Sequence, residues 1–139
     1  NGELVGIIGS LTIDNQEKFF QIPSNVVKSS MELAIKSNFK DRPYLGLYYV
    51  PITKSYAIAH NLNRDHGALV YSQQGLPFIS GSPAEKSGLK LNDIIVSING
   101  KEINLDNSFS NVLNQSRKGD SVEFLILRDG QEIKLPVKL

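Results

Sequence analysis

The sequence contains no cysteine and no tryptophan, one methionine and two histidines. Without cysteine there is no disulfide framework, no zinc finger and no thiol nucleophile. The absence leaves the compartment open, because many envelope proteins also lack cysteine. No apolar run approaches the roughly 20 residues that a membrane-spanning helix needs, and no signal-peptide pattern stands at the start. Neither sign of charge dominates: 15 basic and 14 acidic residues give a net charge of +1. There is therefore no basic face for a nucleic-acid backbone and no acidic tail. Internal repeats and low-complexity segments are absent too.

Chemistry is equally scarce. His60 falls near the end of an expected helix and His66 in the polar turn "NRDHG". No Gly-x-Ser-x-Gly elbow exists, and the "GSP" at 81–83 is accounted for by helix capping. The two histidines, with Asp65 beside His66, fit a surface turn better than a closed metal-ligand set. The glycines at 2, 6 and 9 lie in an apolar strand, not in a phosphate loop followed by a helix. The expectation is a chain with no catalytic residue, no metal and no cofactor of its own.

What is present is an ordinary globular composition, 40% hydrophobic over 139 residues, with room for one compact domain and an appendage. "NGELVGIIGSL" opens on Asn1-Gly2, the dipeptide best suited to a tight hairpin turn, with the return strand but without the strand leading in. "GELVGIIGSL" and "KFFQI" read as strands joined by the polar "TIDNQE". Residues 24–38 read as an amphipathic linker helix, with Pro23 and Ser24 as its start signal and Val27, Met31, Ala34 and Ile35 at helical spacing. Pro43 then forces a boundary, since the residue before a proline is pushed out of the α region.

Residues 41–139 have the rhythm of a small β-rich domain with two or three short helices. "YLGLYYVPI" reads as a strand, "TKSYAIAHNL" as a helix capped by Thr53, and "GALVYSQ" as a strand. In "SGSPAEKSGL", Ser82 caps, Pro83 takes the first helical position, Glu85 completes a capping box and Gly88 closes the turn. "DIIVSINGKEI" is a strand, an Asn99-Gly100 turn and a return strand. Leu105, Phe109, Val112 and Leu113 stand at helical spacing, and the last stretch is a hairpin turning at Asp129-Gly130.

One stretch points to a binding site. In "DRPYLGLYYV", a glycine between leucines lets the N–H groups of Leu45, Gly46 and Leu47 converge on one concavity able to hold a carboxylate. The strand beyond, Tyr48 to Val50, would offer a free edge to an extended peptide. The same residues also fit a glycine at a strand bend with leucines in the core.

"YLGL", "GALV", "SGSPAEKSGLKLNDIIVSINGKEI", an apolar helix and "GDSVEFLILRDGQEIKLPVKL" follow one another here. This order resembles the PDZ domain of the HtrA/DegP family of serine proteases over roughly the last hundred residues. "NGELVGI" and "FFQIPSNVVK" resemble the last strands of that family's trypsin-like barrel and the connector after it. The resemblance implies an α+β, mainly β chain. Residues 1–22 would be a remnant of the protease domain, 23–41 a linker helix, and 42–139 a PDZ domain, a small partly open β-barrel or sandwich with two short helices. It implies that the Gly-Asn-Ser-Gly-Gly nucleophile loop lies just ahead of Asn1, with the catalytic histidine and aspartate further upstream. The parent would be a serine endopeptidase, and this chain alone would cleave nothing.

The implied peptide site comprises the carboxylate loop Tyr44, Leu45, Gly46 and Leu47, with Tyr48 and Tyr49 on the strand. Arg42 stands near the ligand carboxylate, and Ser108, Val112 and Gln115 line the groove side of the second helix, with Phe109 and Leu113 facing the core. Serine at 108, where the best-known subclass holds histidine, implies ligands read mainly by an apolar C-terminal residue in a pocket of Leu45, Leu47 and Val112. Two departures stand out. Phe19 occupies a place where the family usually has glycine, which would narrow the protease's primary pocket, and "QQGLPFI" would lengthen a rim loop. The implied partners are peptides or unfolded protein C-termini and the parent protease domain, with a homo-oligomer left open, and with neither nucleic acid nor membrane insertion. The implied setting is the cell envelope or periplasm of a bacterium, or the outside of the cell. Two other roles stay open: an allosteric sensor, and an assembly element whose groove a neighbouring chain fills.

Overall fold

The computed structural model describes residues 5–13, 16–36, 42–73 and 75–139; the Asn1-Gly2 turn lies outside them. The chain forms two compact units, Asn1–Asp41 and Arg42–Leu139.

In the first unit, β1 (Gly6–Ile13) and β2 (Gln16–Pro23) pair antiparallel from Gly6↔Pro23 to Ile13↔Gln16. The ladder thus runs through residues expected in the connecting loop. Phe20 lies across the strand from Gly9, so close that a Cβ on Gly9 would press 2.6 Å from its ring. The glycine is what lets the aromatic ring lie over the neighbouring strand. α1 (Ser24–Lys36) follows at once, tied back by the Ser24 amide donating to the Val5 carbonyl at 3.0 Å. Its expected apolar positions Met31 and Ile35 are exposed.

The second unit is a sheet of six strands in the order β3-β4-β5-β7-β8, with β6 paired to β5. In chain order these are β3 (Tyr49–Ile52), α2 (Lys54–Ala59), β4 (Gly67–Val70), α3 (Pro83–Lys86), β5 (Ile94–Ile98), β6 (Lys101–Glu102), α4 (Phe109–Leu113), β7 (Ser121–Arg128) and β8 (Gln131–Lys138). All its strand pairs are antiparallel. β4 and β5 are buried at every position, because each face of the sheet carries its own apolar cluster. Val70, Ile95, Val122, Phe124 and Ile126 point to the larger cluster with Phe109, Val112 and Leu113 of α4. Leu69, Ile94 and Val96 point the other way, toward Ala57 of α2.

The local signals act as the residues dictate. Thr53 and Ser82 accept from the amides of Tyr56 and Glu85. Asp129 and Gly130 both take positive φ, 50° and 80°, as a two-residue hairpin turn of this hand demands. Leu105 departs from expectation: it is 84% exposed and outside α4. Asn104 turns residues 104–107 into a loop by accepting from the amides of Asp106 and Asn107. That side-chain turn competes with the helix and wins.

An ion pair closes the far end of α3. Arg128 donates to both carboxylate oxygens of Asp93, at 2.8 and 2.7 Å, and to the Gly88 carbonyl. Asp93 is 1% exposed and also accepts from the Lys90 amide. The bond to Asp93 strengthens the hold of the Arg128 guanidinium on its proton.

Candidate peptide-binding edge

Gly46 sits at φ +70°, in the left-handed region where only glycine is unstrained. A Cβ there would collide with the Cβ of Ser82. The loop is held from behind by α3 and its approach: Ala84 N–H donates to Leu45 C=O at 2.9 Å, and Ile79 N–H and Ser82 Oγ–H to Gly46 C=O at 3.0 and 3.3 Å. With its carbonyls engaged, the loop keeps its amides for elsewhere. None of the N–H groups of Leu45, Gly46 and Leu47 donates to a described residue.

The last residues of "QQGLPFI" pair with the loop. Phe78 bridges to Leu47, and Tyr48 N–H donates to Pro77 C=O at 2.8 Å. Residues 77–79 therefore continue the sheet beside the loop.

Hydrogen-bond alternation fixes which groups of the strand are open. Tyr48 bonds inward through both N–H and C=O, to Pro77 and Tyr71. Val70, opposite Tyr49, spends its own groups on Asn92 and Asp93. In an antiparallel ladder successive residues point their polar groups to opposite sides. Leu47 and Tyr49 consequently direct N–H and C=O to the outer edge of β3, which is the terminal strand of the sheet. Pro51 ends that row, having no N–H.

The side chains divide by face. Leu47 and Tyr49 pack against the larger cluster. The Tyr49 ring lies 4.7 Å from that of Phe109 and its hydroxyl shares a 2.8 Å hydrogen bond with Ser110 Oγ, so one side chain spans from β3 to α4. Tyr44 and Tyr48 are exposed, at 52% and 54%, and Arg42 is exposed as well. Leu45 and Val112 lie in the core at 4% each, leaving Leu47 half-buried between core and surface. Ser108 is the N-cap of α4, its hydroxyl accepting from Asn111 N–H. Exposed Gln115 reaches back toward Asn111 C=O. Besides Phe109, the helix residue that meets β3 is thus Ser110, which helical spacing alone did not single out; the signal was the tyrosine on β3, long enough to cross.

His66 lies away from this edge. Its ring nitrogens are 2.7 Å from Asp65 Oδ1 and 2.7 Å from Glu102 Oε1, and Arg64 joins the group. The hydrogen bond from His66 holds the Asp65 carboxyl below the usual range. Among the described residues no group of side chains is placed to hold a metal ion, and no helix is long and apolar enough to cross a membrane.

The profile of the PDZ domain family matches residues 43–139. The chain belongs to that family. Its PDZ domain is accompanied by further similarity over the whole length. The serine protease Do-like HtrA of Bacillus subtilis is 37% identical across all of the chain and 32% of its own length. A probable periplasmic serine endoprotease, DegP-like, of Chlamydia trachomatis is 31% identical over 99% of the chain and 27% of its own length. The chain thus spans about a third or less of the curated relatives it matches. Among solved structures, the HtrA-type protease AlgW with tripeptide aligns with 99% of the chain and 45% of its own at a TM-score of 0.62 and 24% identity, a likeness of fold.

Proposed function

We propose that residues 42–139 are the peptide-binding and regulatory PDZ module of a serine endopeptidase of the HtrA type in a bacterial cell envelope. What supports this is the outward row of Leu47 and Tyr49 groups beside the amides of Leu45, Gly46 and Leu47, none of which donates to a described residue. An extended peptide would add to β3 as an antiparallel strand, its carboxylate on the N–H groups of Leu45, Gly46 and Leu47. Its last residue would lie across from Leu47 and the residue two before it across from Tyr49, since each ladder step covers two residues on each strand. Main-chain pairing is tolerant of sequence, so the half-buried Leu47 would select an apolar terminus, and Tyr49 with Ser110 would border the next inward-facing side chain. Arg42 adds positive charge near the carboxylate, screened by solvent. Affinity should be micromolar, as for a short peptide ordered on binding.

The domain plan belongs to the same proposal: residues 1–22 as the closing strands of a trypsin-like protease domain and 23–41 as the connector. The apolar surface that β1, β2 and α1 leave open supports it. Relatives named as periplasmic support the envelope setting.

Titration of the chain with short peptides, free acid against C-terminal amide, followed by amide NMR, tests the reading. Shifts at Leu45, Gly46 and Leu47 that disappear with the amide are expected. No binding by any free-acid peptide would refute it, and would favour a groove filled within an assembly.

A further inference from the structure

Asn99 serves two structures at one corner of the sheet. β5 reaches β6 through the two-residue turn Asn99-Gly100, at φ 50° and 77°, the left-handed pair that such a hairpin requires. On its other side β5 pairs with β7, Ile98 facing Phe124, which brings Asn99 opposite Glu123. Asn99 N–H donates to Glu123 C=O at 2.8 Å, and Glu123 N–H donates to Asn99 Oδ1 at 2.8 Å. In an antiparallel ladder the second of these bonds would go to the main-chain carbonyl of Asn99. Here the side-chain carbonyl takes that place while the main chain turns into β6. The carboxamide thus adds one rung to the pairing of β5 with β7 and fastens the turn to it.

The same dipeptide is chemically reactive. Glycine after asparagine has no side chain to shield its amide nitrogen, and both residues are exposed to water. On losing its proton, the Gly100 nitrogen can attack Asn99 Cγ. A new N–C bond forms, Nδ2 leaves as ammonia, and a cyclic imide results; water then opens the ring at either carbonyl, giving aspartate or isoaspartate. The folded turn opposes the attack twice. Ring closure demands a ψ at Asn99 different from that of a left-handed turn residue, and Oδ1 is held by Glu123. We propose that Asn99-Gly100 is a self-modification site guarded by the hydrogen bond to Glu123, converting only when the hairpin opens locally. The two products differ in consequence. Aspartate keeps an oxygen where Oδ1 was and can still accept from Glu123. Isoaspartate routes the main chain through the side chain, adds a methylene to the turn and loses the rung, so the two-residue geometry that sets the β5–β6 register is gone.

The test is incubation of the chain at mildly alkaline pH, native and in unfolding urea, beside the free peptide "SINGKEI" in the same buffers. Peptide mapping reads the gain of one mass unit at Asn99, and enzymatic methylation detects isoaspartate. The unfolded chain is expected to convert at the rate of the peptide, and the native chain at least about tenfold more slowly. Across low urea concentrations, conversion should rise in step with hydrogen exchange of the Glu123 amide. Asn99→Asp should leave that amide protected, whereas aged chain purified as isoaspartate should exchange it about tenfold faster or more. Native conversion as fast as in the unfolded chain, or conversion that does not follow Glu123 exchange, overturns the guard. No conversion even in the unfolded chain overturns the site itself.

Discussion

Phe124 on β7 is fully buried, whereas Phe19 on β2 is 72% exposed. Both belong to eight-residue antiparallel strands, so strand formation does not separate them. What differs is the layer above. β7 alternates between two clusters, Phe124 and Ile126 to one side and Leu125 and Leu127 to the other, each covered by helices or strands of the same unit. β1 and β2 have no such cover among the described residues. Ile7 and Ile8, adjacent and so on opposite faces, are 47% and 75% exposed, and Phe19 and Phe20 repeat this on the partner strand. A two-stranded sheet is marginal by itself, and one apolar on both faces is built to be sandwiched. The second unit carries its stability within, whereas the first leaves apolar side chains exposed on both faces of its two-stranded sheet.

The largest effect that would sharpen this contrast is Phe124→Ala, expected to cost about 3–5 kcal/mol of unfolding free energy for the loss of a fully buried ring. Urea denaturation should show the midpoint falling at unchanged slope. Next comes Arg128→Met, which strands the buried Asp93 carboxylate and releases the Gly88 carbonyl. Breaking a buried pair from one side costs about 3 kcal/mol. A cost near zero would mean that the turn at 88–93 holds α3 in place without the ion pair.

Much of the second unit was legible because its signals are local. A cap such as Ser82 needs only its own three neighbours, and Asp129-Gly130 needs only its own φ angles. The strand register follows from alternation once the turns are set. What the sequence hid was decided by distant partners. Leu105 continues the helical spacing of α4, yet a side-chain turn at Asn104 claims the segment first. Ser110 is a neutral helix position until Tyr49, 61 residues away, reaches it. The pairing of 77–79 with the loop also depends on chain closure, and no period or turn residue within "QQGLPFI" announces it. The turn at Gly46 was visible as glycine between leucines, but its rigidity comes from Ser82 and Ala84, far along the chain.

That rigidity gives the third prediction. Gly46→Ala imposes left-handed strain and a collision with Ser82, together costing about 1–3 kcal/mol. Because the loop must shift to relieve both, free-acid peptides should lose affinity well beyond what stability accounts for. Unchanged binding would place the carboxylate somewhere other than these amides.

The smallest effect tests the first unit. Phe19→Ser removes a large apolar side chain from a strand, a change that inside the second unit would rank with Phe124→Ala. Here it exchanges an exposed ring for a hydroxyl already in water, so the unfolding free energy of the chain should move by no more than about 0.5 kcal/mol. The expected gain is in solubility, since the substitution breaks an exposed apolar patch on a strand with open edges. Light scattering at rising concentration would show it as reduced association. If the substitution instead costs several kcal/mol, Phe19 is covered in solution. The denaturation midpoint should then depend on protein concentration if a second copy provides the cover. A midpoint independent of concentration would place the cover within the chain itself and end the contrast between the two units.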